Sequence, residues 1–134
     1  MAEGTLDAAL EGLLPLLAEP ARVKLFGGEP LLRPDLVRRA LVRLAERAPG
    51  TAVELPTHGG GLPRVADLLS RRPEVEIFVS LPDPLAARLP GAGHNFLLAP
   101  GEAPAAAARR LVRARRLGFT RFNFLPAYFV LWTP

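Results

Sequence analysis

The stretch from Val23 to Leu32, Val-Lys-Leu-Phe-Gly-Gly-Glu-Pro-Leu-Leu, decides how the rest of the chain is interpreted. Its apolar start predicts a buried strand from Arg22 to Phe26. Two glycines end that strand, and a helix is predicted to begin at Pro34, since proline suits the first helical position. Consecutive glycines reach backbone conformations that other residues avoid, and they let a ligand approach main-chain groups without meeting a Cβ. Ligands of parallel α/β folds bind at the carboxyl ends of the strands, so this turn is either a ligand-binding element or a tight connection.

Strand and helix patterns alternate along the rest of the chain. Alternation at these lengths predicts βαβ units, and therefore an α/β fold with a parallel sheet of about five strands. The length of 134 residues suits a single domain covering residues 1–134. Besides Arg22 to Phe26, strands are predicted at 51–55, 75–81, 94–99 and 119–125, with a short extra strand possible at 128–132. Helices are predicted at 5–18, which Pro15 should kink or end early, and at 34–48, 63–71, 85–89 and 104–117.

Composition and charge narrow the function classes. No apolar run reaches the ~18 residues that a membrane span needs, and the acidic start lacks the basic region of a secretory signal, so we expect a cytoplasmic protein. The net charge of +4 is modest, which argues against nucleic-acid binding. The absence of cysteine excludes disulfides and thiolate metal sites, and two histidines are too few for a histidine zinc site. Neither catalytic residues nor metal ligands are assigned.

The string Phe-Gly-Gly-Glu-Pro-Leu-Leu at the end of a strand resembles the GGEP segment of radical S-adenosylmethionine enzymes. In that family the segment follows the second strand of a partial (β/α) barrel, and its backbone binds the methionine amino group of the cofactor. The resemblance therefore implies an incomplete, partial TIM-type barrel, or an open parallel sheet, for this chain. It also implies a cofactor-binding role for Gly27, Gly28, Glu29 and Pro30.

Three later stretches are similar to the same family at lower specificity. The Thr57 to Gly60 stretch is similar to its Thr-Asn-Gly turn, with His58 in place of the asparagine. Val-Ser-Leu at 79–81 followed by Asp83 looks like a strand whose polar residues face the ribose or carboxylate of the cofactor. The Phe-Asn-Phe-Leu-Pro string at 122–126 resembles the last barrel strand of some members, in which the asparagine points inward. The resemblance thus implies that Thr57, Ser80 and Asn123 face the same pocket.

One departure from the family is severe. Its CxxxCxxC loop, which holds a four-iron, four-sulfur cluster, lies upstream of the GGEP segment, and this chain contains no cysteine. The first family strand is missing as well. We therefore interpret the chain as a radical S-adenosylmethionine domain entered one strand late, either a fragment or mis-started gene or a natural variant without the cluster. Weak binding of S-adenosylmethionine remains possible, but an iron-sulfur cluster cannot be held without thiolates.

Three functions stay open. The favoured one is a truncated or degenerate radical S-adenosylmethionine domain, inactive alone, so that enzyme activity is left undecided. The alternatives are a non-catalytic nucleotide or S-adenosylmethionine-binding module and a protein-interaction module without a small ligand. The arginines of 109–116 are interpreted as a solvated helix face, His58 as a solvated loop residue and His94 as a strand-end hydrogen-bond donor.

The missing first strand has a consequence for partners. It leaves the edge of the strand from Arg22 to Phe26 unpaired, and an unpaired edge invites pairing with another chain. We therefore expect self-association or a partner chain at this edge. The short connection from Pro82 to Gly93, which contains three prolines, is expected to weaken the barrel wall.

Overall fold

A computed structural model describes residues 3–18 and 20–126 of the chain. These residues build a five-stranded sheet in the order β1-β2-β3-β4-β5, and every strand pairs in parallel with its neighbour. The sheet curls into half of a barrel, which confirms the predicted α/β fold with an incomplete barrel of five parallel strands. The extra strand considered at 128–132 lies outside the described residues. The strands are β1 (Arg22–Lys24), β2 (Ala52–Thr57), β3 (Val75–Val79), β4 (Gly93–Leu98) and β5 (Arg121–Pro126).

Helices connect the strands. Pro15 ends the first helix early, because α1 stops at Leu13 and the chain continues as a 3-10 turn over Leu14–Leu16. The helix predicted at 63–71 is instead a 3-10 turn, Leu62–Arg64, followed by the single-turn α3, since the backbone of Val65 leaves helical geometry at φ −131°. In the described part of the chain, no helix is long and apolar enough to cross a bilayer. The helices are α1 (Glu3–Leu13), α2 (Pro34–Arg47), α3 (Ala66–Leu69), α4 (Pro84–Ala87) and α5 (Pro104–Leu117).

The core lies between the sheet and the helices. Alternate side chains of β2 and β3 point to this side and are buried, while the intervening side chains face the opposite, concave side of the half barrel. Helix α2 presents its predicted apolar stripe to the same core. The buried strand residues are Val53, Leu55, Val75, Ile77 and Val79, and the α2 stripe consists of Val37, Ala40, Leu41 and Leu44.

The ends of two strands differ from prediction. β1 stops at Lys24, and Phe26 leaves the sheet with 77% of its surface exposed. Over the predicted strand 75–81, Leu81 would alternate onto the buried face with Ile77 and Val79, but it is 64% exposed because β3 ends at Val79. The residues that follow these two strands therefore lie at the carboxyl edge of the sheet rather than in the core.

The connection between β3 and β4 is short, as its sequence suggested. It contains only the single-turn α4, whose amino end is capped by Asp83 through the N–H groups of Leu85 and Ala86. β3 and β4 share register only over Phe78↔Gly93 and Val79↔His94. These two strands therefore pair over fewer residues than any other neighbouring strands of the described sheet.

Candidate functional site

A cavity of about 350 Å³ lies on the concave face at the carboxyl ends of the strands, and we call it the concave-face cavity. Five of the seven predicted site residues line it, and they come from β2, β5, the turn that follows β1 and the residue that follows β3. Parallel strands bring their carboxyl ends to one edge, which explains how residues far apart in sequence meet there. The five are Gly28, Glu29, Thr57, Ser80 and Asn123.

The other two predicted residues, Gly27 and Pro30, lie on the far side of the same turn. They line a neighbouring cavity of about 240 Å³ between the turn, α1 and α2, which is walled largely by apolar side chains such as Leu36 and Val37. Glu29 borders both cavities. The turn therefore separates the concave face from the helix layer, and only one side of it faces polar groups from the strands.

The carboxylate of Glu29 fastens this turn to the end of β2. Its Oε1 accepts hydrogen bonds from the Leu31 N–H at 3.0 Å and from the Thr57 hydroxyl. Its Oε2 accepts from the His58 N–H at 2.7 Å. Three donors converging on one side chain leave it little freedom, so the conformation of the turn depends directly on this carboxylate.

The same contacts keep Glu29 ionised. Burial by itself raises the pKa of a carboxyl group, but the hydrogen bonds from His58, Thr57 and Leu31, together with the charge of His58, lower the pKa of Glu29 below its ordinary value. A general acid at neutral pH needs a raised pKa. Glu29 is thus suited to hold the loop and to attract a cation, and unsuited to donate a proton.

Thr57 and His58 contribute the β2 side of these contacts. We call the set of hydrogen bonds from Leu31, Thr57 and His58 to the carboxylate the Glu29 clamp. The buried Thr57 hydroxyl donates to Glu29 and accepts from the Gly59 N–H at 3.0 Å, so its single donor is used within the protein. His58 Nδ1 accepts from the Gly60 N–H at 3.0 Å, so the ring is held against its own loop. Nε2 lies 3.6 Å from Glu29 Oε2, too far for a hydrogen bond.

The glycines of the turn adopt backbone conformations that favour glycine. Gly27 has φ +129° and Gly28 has φ +50°. Apart from the adjacent residues of the chain, no atom of the described residues lies within 4 Å of the position that a Cβ would occupy at either glycine. The space beside the Gly28 backbone is therefore open, as a ligand that contacts main-chain groups requires.

Asn95 on β4 is a cavity residue that the sequence interpretation missed. It pairs in register with Asn123 on β5, and its side chain is 8% exposed. Its Nδ2 makes one long contact of 3.5 Å to the Phe78 carbonyl, and Oδ1 has no hydrogen-bond partner among the described residues. A buried polar atom without a partner costs about 1–3 kcal/mol. The signal in the sequence was an asparagine alternating with buried His94 and Phe96.

Ionic groups lie on the concave face, one pair in the wall of the cavity and the others outside its lining. Glu76 pairs with Arg22 and with Arg121, the latter at 3.0 Å, and the hydrogen bond from Arg22 is the main cause of its lowered pKa. Lys24 pairs with Glu54 at 2.7 Å in the cavity wall, and half of its side chain is exposed. Acidic and basic side chains thus balance one another on this face.

Phe78 on β3 packs across the neighbouring strand. Its ring lies over Gly93, where an added Cβ would lie 2.5 Å from Phe78 Cε1. The Arg121 guanidinium lies 5.3 Å from the centre of the same ring, within the range of a cation–π contact. The Phe78 ring therefore fills the space above Gly93 and contacts the Arg121 side chain.

His94 is a structural residue of the helix side. Its Nδ1 donates to the Val79 carbonyl at 2.7 Å, and aromatic rings of Phe96, Phe119 and Phe122 surround it. Burial lowers its pKa, so the ring is neutral at physiological pH. The hydrogen bond agrees with the role expected from the sequence, and the side chain points away from the concave-face cavity.

The side chains of the described residues do not provide the ligands that an iron-sulfur cluster requires. The chain has no cysteine, and the described residues contain no group of three or more histidine, aspartate and glutamate side chains that could hold a metal ion. Iron-sulfur clusters are held by thiolates, with histidine as an occasional substitute. The described residues therefore offer no ligand set for such a cluster.

Comparison with protein-family models, with curated proteins and with solved structures found no match for this chain. The relation to radical S-adenosylmethionine enzymes remains a resemblance carried by the motifs of the sequence.

Proposed function

We propose that the concave-face cavity binds S-adenosylmethionine or a related nucleoside, as a radical S-adenosylmethionine-like domain that does not cleave this ligand alone. The observation that carries the proposal is the Glu29 clamp. Three hydrogen bonds to one carboxylate hold Gly28 at the cavity wall with open space beside its backbone. Such a preformed turn fits a ligand that bonds to main-chain groups.

Charges around the cavity support a zwitterionic ligand. The ionised Glu29 favours an ammonium group near the turn, and its Oε2 accepts only one hydrogen bond from the protein. The half-exposed ammonium of Lys24 has donors left beyond its pair with Glu54, and these suit a ligand carboxylate. An amino-acid group attached to a nucleoside combines both charges.

The proposal does not include cleavage of the ligand, because the chain has no group that could supply the electron for it. In the family that the chain resembles, the iron-sulfur cluster delivers the electron that breaks the carbon–sulfur bond. The chain has no thiolate to hold a cluster, and binding is what its residues can supply. A cytoplasmic location belongs to the same proposal.

Calorimetric titration with S-adenosylhomocysteine, a stable analogue, tests the proposal. We expect saturable binding to the parent and a loss of at least about tenfold in affinity for Gly28→Val, because the new side chain fills the space reserved for the ligand. The matched control is Gly50→Val, since Gly50 also has a positive φ of +90° and no atom within 4 Å of its Cβ position, but lies outside the cavity. Equal affinities for the parent and Gly28→Val would refute the proposed site.

A second candidate function is protein interaction at the β1 edge. β1 is an outer strand of the sheet, and the exposed side chains of Phe26 and Leu32 lie just beyond it, 77% and 71% exposed. Exposed apolar side chains beside an unpaired strand favour association with a second chain. Sedimentation tests this candidate independently of ligand binding.

A further inference from the structure

We propose that Asn95 selects the ligand of the concave-face cavity by accepting a hydrogen bond from one of its N–H or O–H groups. The inference rests on the proposed function, and it adds a recognition residue on a strand to the turn already described. In a nucleoside the donor is either an amine on the base or a hydroxyl of the ribose.

The first support is the contrast between Asn95 and two other buried polar side chains. Thr57 and His94 are 4% and 2% exposed, and each makes short hydrogen bonds within the protein. Asn95 makes a single contact, at the 3.5 Å limit of a hydrogen bond, and its Oδ1 has no donor in the described part of the chain. Buried polar groups are nearly always paired, so an unpaired one in a cavity wall points to a missing ligand.

The second support is the orientation of the carboxamide. The Phe78 carbonyl can only accept, so the nitrogen of Asn95 faces it and the oxygen is the unpaired atom. Oδ1 is shielded from solvent, and the long contact to Phe78 only weakly opposes the χ2 rotation that a hydrogen bond to a ligand would require. The atom available to a ligand is therefore an acceptor.

The third support is the neutrality of the surroundings. The nearby charged groups are already paired, Glu54 with Lys24 and Glu76 with two arginines. The register partner of Asn95 is the exposed Asn123, another uncharged carboxamide. This part of the wall fits an uncharged donor rather than the charged amino-acid group of a ligand.

Two substitutions separate recognition from structure. Asn95→Leu keeps the approximate size and removes the acceptor, so S-adenosylhomocysteine should bind at least about tenfold more weakly than to the parent. The urea midpoint of Asn95→Leu should be no lower than that of the parent, because the only hydrogen bond lost is the long one to Phe78. Asn95→Asp keeps an acceptor and should bind more tightly than Asn95→Leu. A lowered midpoint with affinity lost in all variants would make Asn95 structural and overturn the inference.

Nuclear magnetic resonance identifies the donor. The side-chain amide signals of Asn95, assigned by their absence in Asn95→Asp, are followed during titrations with S-adenosylhomocysteine, adenosine, adenine and ribose. A shift with adenine indicates an N–H donor, and a shift with ribose indicates an O–H donor. If S-adenosylhomocysteine binds the parent and Asn95→Leu equally, the inference fails while the proposed function stands. If none of the four probes binds the parent, both fail together.

Discussion

The carboxylate of Glu29 accepts a hydrogen bond from the hydroxyl of Thr57, 28 residues further along the chain. This contact joins the turn after β1 to the carboxyl end of β2, and the His58 N–H adds a second link between the same segments. β1 is only three residues long, so its own ladder with β2 gives the turn little support. The shape of the candidate site consequently depends on one buried carboxylate.

Replacing Glu29 with glutamine should destabilise the protein by about 1–3 kcal/mol, the cost of unpaired buried donors. All three groups that contact the carboxylate are donors, and the glutamine NH₂ group is a donor too, so one end of the amide has no acceptor to meet. Urea unfolding measures the change. Glu46→Gln is the control, because Glu46 lies on the exposed face of α2 and makes only a 3.6 Å ion pair. Equal midpoints for the two variants would contradict the clamp.

The contribution of Glu29 to stability should disappear in acid. Its pKa is lower in the folded protein than in the unfolded chain, so the folded state favours the ionised form. The stabilisation is therefore fully present above the ordinary carboxyl pKa of about 4.3, and it is lost as the pH falls through the lower folded value. The difference in unfolding free energy between the parent and Glu29→Gln should be constant near neutrality and shrink below about pH 4. If the difference in unfolding free energy grew in acid, the pKa of Glu29 would have to be raised by folding rather than lowered.

Gly93→Ala should destabilise the sheet by about 1–3 kcal/mol through overpacking. The new Cβ would lie 2.5 Å from the Phe78 ring, and the Arg121 guanidinium is packed against the same ring at 5.3 Å from its centre. Gly12→Ala is the contrasting control, since that helical glycine has no atom within 4 Å of its Cβ position and alanine favours helices. In thermal unfolding, the melting temperature of Gly93→Ala should be lower than that of the parent, and that of Gly12→Ala should be higher. Phe78→Leu added to Gly93→Ala should restore part of the loss.

The sequence predicted the sheet well because strong patterns coincide with it. Five apolar segments alternate with helices, and proline or glycine marks most boundaries, so the strand order follows from successive parallel crossovers. Helix α5 begins and ends at the predicted residues, Pro104 and Gly118 being clear signals. The helix packs loosely on the sheet, since Ala114 is its one buried residue.

The candidate site was less accessible to sequence reasoning. Gly28 and Ser80 could be placed at one edge of the sheet because both follow strands. The alternation of side chains along β4 was not used to place Asn95 on the concave face, where it lines the same cavity. The functions of Glu29 and Thr57 were also out of reach, since their hydrogen bond depends on how two loops meet in space. Patterns along the chain indicate which face a side chain takes, and contacts across loops require the folded geometry.

Self-association through the β1 edge should depend on Phe26. Its ring is largely exposed beside the outer strand, with Lys24 placed over it at 5.6 Å. Phe26→Asp should abolish the concentration-dependent rise in sedimentation coefficient expected for the parent, because a charge beside the edge opposes association. Val112→Asp is the control, since Val112 is 48% exposed on α5 and distant from β1 in the sheet order. A parent that sediments as a monomer at all concentrations would refute the edge interaction.

Binding and cleavage of S-adenosylmethionine should separate in this chain. Incubated anaerobically with iron, sulfide and a strong reductant, the protein should develop no iron-sulfur absorbance and release no 5′-deoxyadenosine. The chain has no thiolate, and its described histidine and carboxylate side chains do not converge on a metal site. An intact radical S-adenosylmethionine enzyme serves as the positive control for the same reagents. Calorimetry under the same conditions should still detect the ligand through the Gly28 turn, more weakly than in an enzyme whose iron chelates the amino-acid group. Release of 5′-deoxyadenosine above the protein-free blank would show that an electron path exists which these residues do not explain.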